Sequence, residues 1–338
     1  MALHVRNALP DSKIVCMDNL YRRGSELNLP RLRDGGVVFH WGDVRDPGAF
    51  PVGPFDLIVE CSAEPSVLAG LTGGMNYLYH TNLTGLFHCL EKAREWESRL
   101  LFLSTSRVYP MKPLLEHPWR EEETRFVWLD GGVPGICSQG VGEELDMRGV
   151  RSFYGFTKYA AELLIEEYRA AHGLKAVVNR CGVIAGPWQF GKGDQGVVAF
   201  WTMAHHFGWP LSYIGFGGTG KQVRDFLHVE DLCALVVEQI RQFDLWDGWC
   251  GNVAGGLEYS VSLRELTEVC QIVTGRRNPV HAVKETRAND LRLFLGDCRT
   301  LYTRTTWRPC RGIHQLVAGI EAWVCVHEQE LLTVLKGG

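Results

Sequence analysis

Several features are missing from this sequence, and each absence narrows the class of protein. There is no run of about 18 apolar residues, so the sequence predicts no membrane-spanning helix. No basic segment followed by an apolar one opens the chain, so no secretory signal peptide is visible and we expect a cytoplasmic protein. Neither charge sign dominates: 39 acidic and 35 basic residues leave a net charge of −4, which disfavours nucleic acid as a partner.

None of the 11 cysteines forms a C-x-x-C pair, so the spacing typical of a zinc site is absent and we expect no metal. The cysteines are scattered, odd in number and mostly set in apolar segments. This pattern predicts reduced thiols in a protein core.

Short apolar runs alternate with helical patterns through the first half of the chain. The apolar runs include KIVCM, DLIVECSA, RLLFLSTS and KAVVNRCGVI, and helices are predicted at about 75–96 and 154–172. This alternation predicts an α/β fold with a doubly wound parallel sheet covered on both faces. The segment 111–151 is rich in glycine and charge, which predicts a surface loop.

The pattern changes after Pro187, where loops, a helix and a glycine run follow one another. Two further helices are predicted at about 262–274 and 312–327. We therefore predict two domains. Residues 1–187 carry the parallel sheet, and residues 188–338 form mainly a smaller substrate-binding lobe, from which about 223–257 return to the first domain.

Tyr154 and Lys158 are four residues apart at the start of a predicted helix, so they share one helix face. A neighbouring ammonium and a bound nicotinamide cation would both lower the tyrosine pKa from its usual value near 10. Thr105 ends the strand LFLST, at the strand end where doubly wound folds bind ligands. The three side chains indicate hydride transfer at a carbinol carbon, with Tyr154 taking the hydroxyl proton. An amphipathic helix edge and a loop capped by hydroxyls are the structural alternatives.

The motifs MDNL, GDVRD, STSRVY, YGFTK, GKQVRDFLHVEDL and NVAGG occur in this order along the chain. Together they resemble extended short-chain dehydrogenase/reductases of the nucleotide-sugar epimerase and dehydratase type. The resemblance implies a Rossmann-type fold, NAD as cofactor, and a nucleotide sugar epimerised by transient oxidation and re-reduction of one carbon. It is compatible with a homodimer or a homotetramer.

Two alternatives stay open at this point. One is another nucleotide-sugar dehydratase or decarboxylase, which Ser106 and Arg107 disfavour because they replace the acid pair that dehydratases of this fold carry after the threonine. The other is a non-catalytic homologue that acts as a binding or scaffold protein.

The resemblance also implies roles for individual residues. The expected catalytic residues are Thr105, Tyr154 and Lys158. The expected cofactor-binding residues are Asp18, Asn19, Asp43, Val44, Cys61, Ser62, Ala63, Asn82, Tyr154, Lys158 and Arg180. The expected substrate-binding residues are Cys181, Gln195, Arg224, Arg287 and Asp290. A turn cap at Asp43 and a surface charge at Arg287 remain the alternatives for those two positions.

One motif of the family has no counterpart in the sequence. A strand that ends in an acidic residue, as KIVCMD does, should follow a glycine-rich phosphate loop. Only 17 residues precede Asp18, none of them is glycine, and ALHVRNALPDS reads as the remainder of the first helix. The first strand lies at the centre of such a sheet, and the missing turn binds the pyrophosphate. We interpret this as a chain start placed too late or a truncated gene, in preference to an evolved cofactor-free protein.

Overall fold

The computed structural model of the chain describes residues 1–71, 73–190 and 195–335. Its helices are α1 (Ala2–Ala8), α2 (Asn28–Asp34), α3 (Met75–Tyr79), α4 (Gly85–Glu95), α5 (Met111–Glu116), α6 (Phe153–His172), α7 (Val197–Phe207), α8 (Val229–Arg241), α9 (Phe243–Trp246), α10 (Leu263–Thr274), α11 (Arg299–Arg304), α12 (Ile313–Val326) and α13 (Glu328–Leu335).

The strands in the same ranges are β1 (Val15–Asp18), β2 (Val38–Trp41), β3 (Leu57–Glu60), β4 (Arg99–Thr105), β5 (Trp119–Glu121), β6 (Phe126–Trp128), β7 (Ile136–Cys137), β8 (Gly140–Val141), β9 (Ala176–Cys181), β10 (Val183–Ala185), β11 (Leu211–Ile214), β12 (Val223–His228), β13 (Cys250–Val253), β14 (Ser260–Ser262), β15 (Val280–Val283) and β16 (Leu293–Phe294).

The predicted doubly wound parallel sheet is confirmed. Four parallel strands lie in the order β13-β9-β4-β3, and Leu101 of β4 pairs with Val177 of β9. Phe102 packs with α4 and α6 on one face, whereas Leu101 packs with α8 on the other. Because both faces are covered, the strands are nearly continuous apolar runs, as in LLFL.

β1 and β2 form a separate parallel pair, with Asp18 opposite Trp41. Within the described ranges β3 pairs with β4, and no ladder joins β1 to β3.

α6 begins and ends where the sequence pattern predicts. The Ser152 hydroxyl accepts a hydrogen bond from the Gly155 amide at the N-terminus, and Gly173 ends the helix with a positive φ of 68°. Position 155 requires glycine, because a Cβ there would lie 2.1 Å from the Arg107 carbonyl oxygen. The start of α6, which carries Tyr154, is therefore packed directly on the chain that follows β4.

The predicted helix at 75–96 is confirmed as one continuous helical stretch. It consists of α3, a π-helical segment His80–Thr84, and α4. The π segment contains Asn82, which is buried. A π segment of this kind often occurs at functional sites.

The prediction of a surface loop at 111–151 is wrong. The segment forms α5 and the hairpins β5-β6 and β7-β8, and Trp128, Val141 and Leu145 are buried in a cluster with Phe294 and Leu295. These apolar residues are spaced widely among glycines and charges, so no periodicity shows in the sequence. The partner strand β16 also lies far away along the chain.

A separate apolar cluster lies in the later part of the chain. α7, α10 and α12 pack together, and Met203, Cys270, Leu316 and Ile320 are fully buried among them. The division into two domains, 1–187 and 188–338, stays a prediction.

The cysteine prediction is correct in part. Five cysteines are buried: Cys89, Cys181, Cys233, Cys270 and Cys298. Four are exposed: Cys61, Cys250, Cys310 and Cys325. In the described part of the chain, no helix has the length and apolar character needed to cross a membrane.

Candidate functional site

The structure brings Thr105 and Tyr154 together at the carboxyl end of the central sheet. Thr105 is the last residue of β4, and Tyr154 is the second residue of α6. Both side chains are more than nine-tenths buried. A hydrogen bond joins the two hydroxyl groups, so a proton donor and a proton acceptor meet where ligands bind in folds of this class.

The pKa of Tyr154 differs from the sequence-based expectation. Burial raises it to about 12, while hydrogen bonding with Thr105 and the charge of Arg107 lower it. Lys158 is not among the groups that lower it most. Among the positively charged side chains, Arg107 in the turn after β4 lowers the Tyr154 pKa more than Lys158 does.

Lys158 lies on the same helix face but its ammonium is directed to the sheet. Nζ donates a hydrogen bond to the Leu103 carbonyl at 3.0 Å and lies 4.3 Å from the centre of the Phe102 ring. Burial lowers the Lys158 pKa, and the charge of Glu60 opposes that shift. Burial conversely raises the Glu60 pKa, and Lys158 opposes it. The two opposite charges stabilise each other inside the protein.

Arg224 and Asp290, both predicted to bind substrate, form an ion pair. Arg224 Nη2 lies 2.8 Å from Asp290 Oδ1 and donates a second hydrogen bond to the Leu291 carbonyl. Arg287 is exposed and belongs to the same loop, because its carbonyl accepts a hydrogen bond from the Asp290 amide.

Arg107 completes this basic cluster. Its Nη1 donates a hydrogen bond to the Asn289 carbonyl at 3.2 Å. Burial and the neighbouring charge of Arg224 lower its pKa to about 10, whereas Asp290 raises it. Arg107 therefore lies near Tyr154, and the guanidinium groups of Arg107 and Arg224 both lie near the Asp290 carboxylate, an arrangement suited to an anionic substrate group.

The residues predicted for the adenosine end also meet. Asn19 Nδ2 donates to Asp43 Oδ2 at 2.9 Å, which joins the ends of β1 and β2. Asp43 also accepts from the backbone amide and guanidinium of Arg45, which hold its pKa well below the usual range. Asp43 thus caps a turn, which was the alternative to a cofactor-binding role.

The exposed Asp18 carboxylate accepts a hydrogen bond from the Leu20 amide, and the Val44 carbonyl accepts one from the His88 ring.

The loop after β3 is fastened to α6 through Asn82. Cys61, Ser62 and Ala63 lie in this loop, and the Ser62 hydroxyl donates to Glu60. Asn82 accepts from the Glu64 amide at 2.7 Å and donates to the Thr157 hydroxyl at 3.1 Å. Asn82, Glu64 and Thr157 therefore form a hydrogen-bonded rim between the loop after β3 and the helix that carries Tyr154.

Gln195 also meets this rim. Its side-chain oxygen accepts from Arg22 at 2.9 Å, and its nitrogen donates to Glu64 at 3.3 Å. Its contacts are with the loops after β1 and β3, whereas the prediction assigned it to the substrate.

Arg180 differs from the other predicted cofactor residues. Neighbouring strand residues point to opposite faces, and Cys181 packs with the α8 cluster whereas Arg180 points toward α6. The Arg180 guanidinium binds Glu162 at 2.8 Å, and both side chains are more than nine-tenths buried. These contacts make Arg180 part of an internal ion pair and do not support the predicted role at the nicotinamide.

Sequence reasoning missed Glu60 as a partner of Lys158 and Arg107 as a neighbour of Tyr154. A signal was present for Glu60, because a carboxylate ends the apolar strand LIVE. Arg107 stood beside the recognised Thr105, but its direction depends on the close approach of α6.

The fold defines an α/β protein of the Rossmann type, with polar side chains gathered at the carboxyl ends of its parallel strands. The model of the NAD dependent epimerase/dehydratase family matches residues 132–247. Over these residues the chain is similar to that family. NAD, the cofactor predicted from the sequence, is the one that the family description names.

Three relatives show the range of similarity. CDP-paratose 2-epimerase of Salmonella typhi is 28% identical over 317 residues, which cover 88% of this chain and 87% of that protein. UDP-glucose 4-epimerase of Thermotoga maritima has a TM-score of 0.76 at 20% identity, covering 97% of this chain and 96% of that chain. dTDP-glucose 4,6-dehydratase of Bacillus anthracis, solved with NAD, has a TM-score of 0.74 at 19% identity, covering 98% and 94%. The two solved structures establish the shared fold.

The segments DNLYRRGSE, QFGKGDQG and GKQVRDFLHVEDL predict CDP-paratose 2-epimerase as the more similar branch of the family. Residues 191–194 of the second segment lie outside the described residues.

The residues present fit the two ends of NAD. The exposed Asp18 carboxylate at the end of β1 suits the hydroxyls of an adenosine ribose. The buried Lys158 ammonium has three donors, so its bond to Leu103 leaves donors for a second ribose.

Proposed function

We propose that this protein is an NAD-dependent epimerase of a nucleotide sugar, acting in the manner of a CDP-paratose 2-epimerase. The observation that carries the proposal is the contact between Tyr154 and Thr105 at the end of β4, beside the basic cluster of Arg107 and Arg224. A general base near Arg107, which itself neighbours Arg224, suits a sugar attached to a diphosphate.

The reaction requires an oxidation and a reduction at one sugar carbon. NAD, held by Asp18 and Lys158, would supply the hydride acceptor for the oxidation and the hydride donor for the reduction. Tyr154 accepts the proton of the sugar hydroxyl as the C–H bond breaks and a C=O bond forms, and it gives the proton back when the carbonyl is reduced. Thr105 binds the same oxygen and keeps it near the phenol. Arg224 binds the diphosphate, and Lys158 binds the nicotinamide ribose.

A dehydratase is the second candidate, because the dehydratase of Bacillus anthracis has the same fold. Elimination of water needs an acid and a base besides the tyrosine. Ser106 and Arg107 occupy the positions after Thr105, and neither is a carboxylic acid. This difference favours epimerisation.

The experiment is a comparison of the parent protein with Tyr154→Phe in the presence of NAD. CDP-, UDP- and GDP-sugars are supplied as a panel, and inversion of the sugar stereocentre is followed by NMR. Loss of the general base should lower the rate constant by about 10²- to 10⁴-fold and change substrate affinity little. Stability should stay close to that of the parent, because the ring still fills its place.

Inversion by the Tyr154→Phe variant at the parental rate would make Tyr154 a packing residue and would refute the proposal. A 4-keto-6-deoxy product in place of an epimer would show that the second candidate is correct. Phe156→Leu, an exposed position on the same helix, is the control.

A further inference from the structure

A second cluster of reactive side chains lies away from the sheet, between two helices of the C-terminal half. His206 is in the last turn of α7, and Glu321 and Cys325 are four residues apart on α12. The ligand atoms of the three side chains all lie within 4.8 Å of one another. It is the sole group of three or more metal-binding side chains found among residues 1–71, 73–190 and 195–335.

The distances are close to those of a tetrahedral zinc site. Zinc binds nitrogen and oxygen at about 2.0–2.2 Å and sulfur at about 2.3 Å, so two ligand atoms lie roughly 3.4–3.7 Å apart. Cys325 Sγ is already 3.7 Å from Glu321 Oε1. His206 Nδ1 is 2.8 Å from the same oxygen, so this pair has to open by roughly 0.6 Å, a small rotation of two side chains.

The charges of the cluster also favour a cation. Glu321 Oε2 is buried and has no hydrogen-bond partner in the part of the chain that is described. The His206 and Glu321 side chains are only 11% and 16% exposed. A divalent cation would compensate the charge of the mostly buried Glu321 carboxylate and replace the thiol proton.

We propose that His206, Glu321 and Cys325 form a zinc-binding site that links α7 to α12. A nitrogen, an oxygen and a sulfur ligand suit zinc, whereas magnesium and calcium take oxygen ligands. The exposed position of Cys325 allows water to supply the fourth ligand. Because the site joins two helices of the α7, α10 and α12 cluster, bound zinc stabilises that cluster by mass action. The site does not depend on the epimerase proposal.

The test uses the full chain after treatment with a chelator. Zinc chloride is titrated in by calorimetry, and thermal unfolding is measured with and without zinc. Cobalt(II) chloride serves as a second probe, because a bound thiolate gives an intense near-ultraviolet charge-transfer band. We expect one zinc per chain at micromolar affinity, a higher melting temperature with zinc, and the thiolate band with cobalt.

Matched variants distinguish zinc binding at this site from non-specific zinc binding elsewhere on the protein. Cys325→Ser and His206→Ala should each lower zinc affinity by at least about tenfold, since even outer-shell partners of zinc ligands contribute 10- to 100-fold. His327→Ala removes a histidine–glutamate pair that lacks a thiol. Cys310→Ser removes an exposed thiol that contacts Asp231 beside Arg311 but no imidazole. Neither control should change zinc affinity.

Failure of the parent to bind zinc at micromolar concentration would overturn the proposal. So would equal zinc affinity in the parent, Cys325→Ser and His206→Ala, or a cobalt complex without the thiolate band. If one ligand variant fails to fold, the other variant and the cobalt spectrum of the parent still decide.

Discussion

Tyr154 keeps its proton at neutral pH in this structure, because burial raises the pKa to about 12. A general base in this state needs positive charge near its oxygen when the substrate reacts. Arg107 is the cation whose charge acts most on the phenol, whereas Lys158 is bound to Leu103 and opposite Glu60. The spacing of Tyr154 and Lys158 therefore identifies the face of α6 that meets the site, and Arg107 in the turn after β4 supplies the positive charge near the phenol.

Replacing Arg107 should make Tyr154 a weaker proton acceptor at neutral pH. Arg107→Ala removes the charge that lowers the Tyr154 pKa, so the limb of kcat/KM that rises with pH should move to higher pH. A rise of one pKa unit would reduce kcat/KM at pH 7 by about tenfold. Arg107→Lys keeps a charge and should recover part of the loss. Parallel pH profiles for Arg107→Ala and the parent would contradict this role.

Arg224 should matter for the substrate and not for NAD. Arg224→Ala leaves a diphosphate charge without its guanidinium partner, a loss of roughly 2–4 kcal/mol in nucleotide-sugar affinity. Calorimetry with the nucleotide sugar and with NAD measures the two affinities separately. Arg264→Ala, on the exposed side of α10, is the control. An equal loss of both affinities, or no loss, would contradict the assignment.

At the scale of elements, α6 is the part on which the site depends. The Glu162 carboxylate, two turns after Tyr154, binds Arg180 of β9 and accepts a hydrogen bond from the Ser104 hydroxyl of β4. The Tyr109 hydroxyl extends this buried network to Asn252 of β13. The helix is thus fixed to three neighbouring strands by buried polar side chains that hydrogen-bond to one another instead of to water.

Breaking the Glu162–Arg180 pair should be costly. Glu162→Gln leaves a buried guanidinium without a counter-charge, which typically costs about 3–5 kcal/mol in the free energy of unfolding. Replacing both residues, as Glu162→Leu with Arg180→Met, should recover much of that loss. Urea unfolding measures the free energy of unfolding of the single and the double variant.

The exposed pair Asp146–Arg148 provides the matched control for this prediction. Asp146→Asn should change the free energy of unfolding by less than about 1 kcal/mol, because water screens exposed ion pairs. A Glu162→Gln effect no larger than that of the control would show that the network does not hold the helix.

At the scale of the whole molecule, Asp225 joins distant parts of the chain. It lies on β12 and is fully buried. It accepts hydrogen bonds from the amides of Gly296 at 2.8 Å and Gly256 at 3.2 Å, while Oδ1 has no partner in the described ranges. Burial raises its pKa to about 6, against the bonds from those two amides.

This shift predicts how stability depends on pH. A carboxyl whose folded pKa is raised contributes stability that is complete below its unfolded pKa near 4 and is lost as pH rises through about 6. We therefore expect the free energy of unfolding of the parent, relative to Asp225→Asn, to fall by about 3 kcal/mol between pH 4 and pH 7. Denaturant unfolding of both proteins across this range measures it. A pH-independent difference would mean that Asp225 does not titrate in the folded protein.

Some residues of the candidate site were predicted from local sequence patterns, whereas the contacts of others were not. Thr105 and Tyr154 were predicted from the sequence because strand ends meet at one edge of a parallel sheet and helix residues four apart share a face. The substrate-binding roles of Arg224 and Asp290 follow only from the resemblance to the family, and the ion pair between them was not predicted. The ion pair of Arg180 with Glu162 was not predicted, because the direction of a strand residue depends on which face its neighbours cover.

By itself, the sequence determined the parallel sheet, the limits of α6 and the residues at the strand ends, since these depend on local periodicity, capping and apolar runs. Only the tertiary structure decided that Arg107 lies near Tyr154, that 111–151 forms hairpins and adds apolar residues to a buried cluster, and that His206 meets Glu321 and Cys325. These contacts join residues far apart in the chain. Their energies depend on packing and on the exclusion of water, neither of which exists until the chain has folded.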